Sequence, residues 1–251
     1  KNKSDYLLDT SGNQFLMVYN MEYIKQMLDN IQEQDPSDTS GSKMAFAMEI
    51  EAVTLSDKQY QTFPAELFKL RNLLYLFLPR NNLSKVPDSI GNLINLRVLD
   101  LSNNELHSLS QEIGKLKDLV TLHLSGNKLS ELPNSIGELS SLISLGLRNN
   151  NLKSLPDSIE KLTNLKSLDL DFNKLDNLPP EIVQLEELTV LSVQNNSLTS
   201  LPDSIGKLNK LTSLNLFNNK LTSLPPSIGE LQNLTSLGLS KNNLRSLPQS
   251  F

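Results

Sequence analysis

An asparagine returns every 23 residues through most of this chain: Asn81, Asn104, Asn127, Asn150, Asn173, Asn196, Asn219 and Asn242. No insertion or deletion interrupts the series. Each asparagine closes the same pattern, L-x-x-L-x-L-x-x-N-x-L, as in Leu119-Val120-Thr121-Leu122-His123-Leu124-Ser125-Gly126-Asn127-Lys128-Leu129. A period of this length means one small structural unit per repeat. Such a unit cannot bury its own leucines, so neighbouring units must stack. The 251 residues therefore form an elongated solenoid rather than one or two globules.

The spacing within a repeat dictates its parts. Around Leu168 and Leu170 apolar residues alternate with outward ones, the period of a strand with one buried face. Each repeat contributes one short strand, and successive strands lie parallel, about 4.8 Å apart. Asn173 follows at the bend. A carboxamide offers two donors and an acceptor, so it can satisfy backbone groups that the bend leaves unpaired, coil after coil. Most repeats then read L-P-x-S-I-G-x-L, as at Leu201–Leu208. Proline suits a bend or a first helical position. The segment is too short for a long helix, so a 3₁₀ or short α turn is expected on the convex side.

Residues 1–49 fall outside this pattern. Tyr6-Leu7-Leu8 and Phe15-Leu16-Met17-Val18-Tyr19 flank a turn-forming Asp9-Thr10-Ser11-Gly12-Asn13, which predicts a hairpin. Met21, Ile24, Leu28 and Ile31 have helical spacing, predicting an amphipathic helix from Met21 to Gln34. Residues 35–43 read as a loop. The region is expected to cover the open end of the solenoid core. Residues 50–251 are the repeats: a degenerate first one with Lys58 in the asparagine register, then eight regular ones. The last breaks off at Phe251, in register with Ile205 and Ile228, so an uncapped leucine edge is expected there, covered by a second copy if the chain self-associates. Lys1 in place of a methionine is expected of a processed or excised chain.

The net charge of −5 argues against a nucleic-acid partner, which calls for a basic surface. With no cysteine, disulfide caps, thiolate metal sites and thiol nucleophiles are excluded. No apolar run reaches the roughly 18 residues of a membrane helix. The sequons at Asn2, Asn82, Asn195 and Asn233 read as by-products of an Asn/Ser/Thr-rich repeat.

These residues resemble the leucine-rich repeat superfamily, over residues 50–251. The L-P-x-S-I-G-x-L segment is most similar to the Ras-suppressor-like class and to bacterial proteins that share its consensus, and lacks the G-x-I-P segment of plant receptors. The resemblance implies an α/β solenoid, a horseshoe with a parallel concave β-sheet and short 3₁₀/α turns outside. It implies a protein-interaction scaffold without a cofactor. Near-consensus repeats without cysteine lean toward a bacterial source, exported or surface-attached, with a cytoplasmic location as the alternative.

On the concave face the outward residues form three columns. One runs Tyr75, Val98, Thr121, Ser144, Ser167, Val190, Ser213, Ser236. The next runs Phe77, Asp100, His123, Gly146, Asp169, Ser192, Asn215, Gly238. The third runs Pro79, Ser102, Ser125, Arg148, Asp171, Gln194, Phe217, Ser240. The core needs none of these side chains, so its large or charged members are the recognition candidates: Tyr75, Phe77, Asp100, His123, Arg148, Asp169, Asp171 and Phe217. Phe217 is expected either to stand as an isolated exposed aromatic or only to pack on its neighbours. Phe172, just before a ladder asparagine, is expected to pack.

Asp100 and His123 fall on adjacent coils, where an ion pair is expected. A catalytic pair also needs a nucleophile and an oxyanion site, and the serines here recur with the repeat. Gly146 separates Asp100 and His123 from Asp169 and Asp171, so no metal site is expected. The reading is a non-enzymatic module that binds a protein on its concave face. The alternatives are a surface or secreted protein that binds glycan or matrix, and a structural module that self-associates at its C-terminal edge.

Overall fold

The period of 23 residues becomes one coil of a solenoid in the computed structural model, which describes residues 4–8, 14–18, 21–22, 24–26 and 50–250. An eleven-stranded sheet runs the length of the molecule in sequence order. β1 (Ser4–Leu8) and β2 (Gln14–Val18) are the expected hairpin, antiparallel with Tyr6 opposite Leu16. β2 then pairs in parallel with β3 (Ile50–Thr54), so the hairpin continues the sheet. The three-residue strands β4 (Tyr75–Phe77) to β11 (Ser236–Gly238) follow, each parallel to the last. Met21, Glu22 and Ile24–Gln26 are helical; the rest of the expected helix and the loop over 35–43 lie outside the described residues, as does Phe251.

Register is maintained because every coil presents the same inward leucines. Leu76, Leu99, Leu122 and their successors as far as Leu214 occupy the centres of β4 to β10 and are fully buried. Each buried leucine contributes roughly 2 kcal/mol over leaving it in water. Met21 and Ile24 belong to the same core cluster. The final coil has a neighbour on one side only. Leu237 and Leu239 are accordingly half-buried, and Leu247 is 51% exposed.

The asparagine ladder links each coil to the one before. Asn127 Nδ2 donates to Leu124 O in its own coil (2.9 Å) and to Leu101 O in the previous one (3.0 Å). Its Oδ1 accepts the Leu106 N–H at 3.0 Å. One carboxamide thus serves three backbone groups away from water. Asn81, Asn104, Asn150, Asn173 and Asn219 are buried likewise, while Asn196 and Asn242 are half-buried.

The convex turns are 3₁₀ in seven successive coils, from Asp88–Asn92 to Pro226–Glu230, as at Asn134–Glu138. Pro133, with φ −68° and ψ 149°, delivers an extended chain and accepts the Ile136 N–H at 2.9 Å. Where Ser110 replaces proline, its hydroxyl oxygen accepts the Glu112 N–H at 3.0 Å and its O–H donates to Asp88 at 2.6 Å. A second ladder sits opposite the first. Asn95, Asn164 and Asn233 each donate to a backbone carbonyl of the preceding coil, Arg71 O, Ser140 O and Asn209 O.

Candidate functional site

The strand pairing sets the outward residues side by side as the period requires. Phe77 faces Asp100, Asp100 faces His123, His123 faces Gly146, and Gly146 faces Asp169. Gly146 is buried, and a Cβ there would stand 3.2 Å from His123 Nδ1 and 3.3 Å from Ser125 Oγ, so these two side chains crowd the glycine. Tyr75 and Phe77 are half-buried, beside Ala52 and Thr54 of β3.

Asp100 and His123 are neighbours, but no ion pair joins them among the described residues. The Asp100 carboxylate turns back along its own strand and accepts the Ser102 N–H at 2.9 Å. Asp169 does the same with the Asp171 N–H at 3.0 Å. A short carboxylate two residues before an exposed backbone N–H finds that donor sooner than a partner on the next coil. Asp169 is held above the ordinary carboxylate pKa, chiefly because burial withdraws water from it; the Asp171 N–H and Arg148 oppose that shift, and the Asp171 charge adds to it.

Asp171 departs from the expected exposed position. It is 3% exposed. Its Oδ1 accepts the Ser192 hydroxyl (2.6 Å) and the Gln194 N–H (3.0 Å), and its Oδ2 accepts Gln194 Nε2 (2.6 Å) and Arg148 Nη1 (3.0 Å). The next coil encloses this carboxylate, which therefore supports Arg148 rather than offering itself to a ligand. Phe217 follows the packed alternative: it is half-buried, and the Lys241 ammonium stands 5.1 Å from its ring centre.

Phe172 is the residue that sequence reasoning missed. Expected to pack, it is 41% exposed instead, with the Arg148 guanidinium 4.6 Å from its ring centre. Its backbone is left-handed, φ +54°. The same register position holds Arg80, Asn103, Gly126, Asn149, Asn195, Asn218 and Lys241, all with positive φ. Glycine and asparagine dominate because they tolerate this conformation. That bias was present in the sequence, and Phe172 departs from it together with Arg80 and Lys241.

Other surfaces carry less. A depression of 570 Å³ between convex turns is lined by Glu160, Lys161, Thr163, Asn164, Gln184, Glu186 and Glu187, away from the concave columns. Among the described residues no helix is long and apolar enough to cross a membrane.

The family models for a leucine-rich repeat region match residues 87–145 and 143–222, and a second leucine-rich repeat model matches residues 49–106. The chain is a leucine-rich repeat protein. Leucine-rich repeat domains are commonly protein–protein interaction modules and generally non-catalytic. No curated protein matches this chain. Among solved structures, a leucine-rich repeat protein of Leptospira interrogans is similar at 35% identity with a TM-score of 0.76, over 86% of this chain and 61% of that one. The ectodomain of the plant membrane receptor kinase GASSHO1/SCHENGEN3 of Arabidopsis thaliana, in complex with CASPARIAN STRIP INTEGRITY FACTOR 2, gives 35% identity and a TM-score of 0.74, over 83% of this chain and 26% of that one. The Toll–Spatzle complex of Drosophila gives 28% identity and 0.69, over 79% and 29%. This chain thus spans less than two thirds of each.

Proposed function

We propose that this leucine-rich repeat chain is a non-catalytic module that binds a protein partner across its concave face. The observation that carries the reading is the floor itself. Its columns hold Tyr75, Phe77, Asp100, His123 and Asp169, side chains that no coil uses for its leucine core. A rigid, gently curved floor of mostly small residues suits an extended or convex protein surface. Two similar structures are complexes with protein ligands, which supports a protein partner. The Leptospira neighbour supports a bacterial source.

Residues 1–49 are the N-terminal cap in this reading. β2 extends the sheet past β3, and Met21 and Ile24 enter the solenoid core. The fold requires a cover at that end.

The test is affinity capture from an extract of the source organism, identification of the captured protein, and titration with that protein purified. A floor variant with Tyr75, Asp100 and Asp169 changed to alanine should stay folded and bind at least about tenfold more weakly. A convex variant at Glu160 and Glu187 should bind normally. Loss confined to the convex variant would refute the reading.

A further inference from the structure

One rim of the concave face gathers features that the fold does not need. It lies just past the strands, where backbone hydrogen bonds hold successive loops together, as in Phe172 N to Gln194 O and Asn195 N to Phe217 O. In the N-terminal coils its cations are neutralised on the spot: Arg80 pairs with Asp57, and Lys128 pairs with Glu105. From Arg148 onward the pattern changes. Arg148, Lys174, Lys220 and Lys241 stand along the rim. The acid among them, Asp171, is buried beneath Arg148. Lys174 and Lys220 form no ion pair among the described residues. Two aromatics, Phe172 and Phe217, lie between these cations, each with one of them against its ring.

Phe172 is the sharper observation. A bulky side chain at positive φ is an outlier, and the adjacent coils avoid it with Asn149 and Asn195. The ring stays 41% exposed and joins no core cluster among the described residues. A strained, exposed aromatic that the fold does not need is a reason to look for a ligand. Its support is already built, since the Asp171 carboxylate fixes the guanidinium that lies over it.

The geometry points to a docking rim for an acidic peptide segment with an apolar side chain, the apolar group on Phe172 and the carboxylates on Arg148, Lys174, Lys220 and Lys241. This rests on the reading of the chain as a protein-binding module and names the partner's chemistry. Charge complementarity carries it: a local basic strip on a chain of net charge −5 selects an acidic segment. Arg148 Nη1 is committed to Asp171, but the guanidinium has further N–H donors to offer. From Arg148 to Lys241 the rim crosses four coil spacings, roughly 19 Å, the reach of about six extended residues. A nucleic acid fits worse. The rest of this chain, of net charge −5, repels a polyanion.

The test is selection of random peptides displayed on phage against the whole chain, with affinities of the selected peptides measured by fluorescence anisotropy. Two variants accompany it, F172N and K174S/K220S. Asparagine is what neighbouring coils carry at that position, so F172N folds. The expected result is enrichment of peptides with several Asp or Glu and an aromatic or aliphatic residue. Their affinity should drop roughly thirtyfold in F172N and roughly tenfold in K174S/K220S. Enrichment of basic or neutral peptides overturns the proposal. So does binding that ignores both variants, or a single-stranded oligonucleotide bound as tightly as the peptides. Peptides lost only in the floor variant at Tyr75, Asp100 and Asp169 overturn the rim and leave the protein-binding module standing. No enrichment at all overturns both.

Discussion

Arg148 donates to Asp171 across adjacent coils at 3.0 Å, joining an exposed guanidinium to a carboxylate that is 3% exposed. Asp171 is satisfied on both oxygens, by Ser192, Gln194 and Arg148. Asp171→Ala removes that acceptor set at once. It leaves the Gln194 N–H unpaired in a half-buried place and frees Arg148 from Phe172. The expected loss is about 2 kcal/mol, read by urea unfolding. Arg148→Ala should cost less, about 1 kcal/mol, because Ser192 and Gln194 still hold the carboxylate.

Asp169 titrates in the opposite sense from a salt-bridged acid. Burial raises its folded-state pKa above the ordinary 3.8. The folded state therefore holds the proton more tightly than the unfolded state. This group's contribution to stability is full below pH 3.8 and is lost as pH rises through the raised folded value. Asp169→Asn keeps an oxygen for the Asp171 N–H and has no charge to desolvate. Its melting temperature relative to the parent should thus be higher at pH 7 than at pH 3. Carboxyl NMR should place the Asp169 midpoint above the ordinary 3.8. A midpoint at or below it would refute the assignment.

Much of this architecture was legible because the period never slips. Once Asn127 defines the bend, Leu122 must face in and Thr121 and His123 must face out, and the columns follow by adding or subtracting 23. Burial of the outward residues was not legible. Asp171 looked like any third-column residue, yet Ser192 and Gln194 of the next coil enclose it. A periodic pattern fixes direction and leaves side-chain length and partners open. The Asp100–His123 pair failed for a related reason, since a donor two residues away captured the carboxylate first. Phe172 was misread because its backbone conformation was not inferred from the glycine and asparagines in register with it.

The ladder should weaken toward the last coil. Asn127→Ala strands Leu101 O, Leu124 O and the Leu106 N–H in the interior, an expected cost of about 2–3 kcal/mol. Asn242→Ala removes similar bonds, to Leu216 O and Leu239 O and from the Leu221 N–H, but at a half-buried site that water reaches. About 1 kcal/mol or less is expected there. Equal losses in denaturant unfolding would show that exposure does not set the ladder's strength.

The convex turns set a steric limit. A Cβ on Gly137 would lie 2.2 Å from Ser158 O in the next coil, a backbone atom that cannot swing aside. Gly137→Ala must push two coils apart, and overpacking of this kind costs roughly 1–3 kcal/mol. Gly146→Ala, on the concave side, meets side-chain atoms of His123 and Ser125 at 3.2 and 3.3 Å. Those atoms can rotate, so the loss should stay under about 1 kcal/mol. Thermal unfolding of the two variants side by side decides the order.

Phe172→Asn separates the needs of the fold from those of the surface. The phenylalanine adopts φ +54°, which costs a non-glycine residue about 1 kcal/mol and an asparagine less. The substitution relieves that strain and forfeits an exposed cation–π contact with Arg148 worth about 0.5–1 kcal/mol. The two effects nearly cancel, so the melting temperature should move by no more than a few degrees in either direction. A loss above about 2 kcal/mol would mean that the ring packs on its neighbours and earns its place in the fold. A near-neutral change would leave an aromatic that is strained, exposed and dispensable for folding.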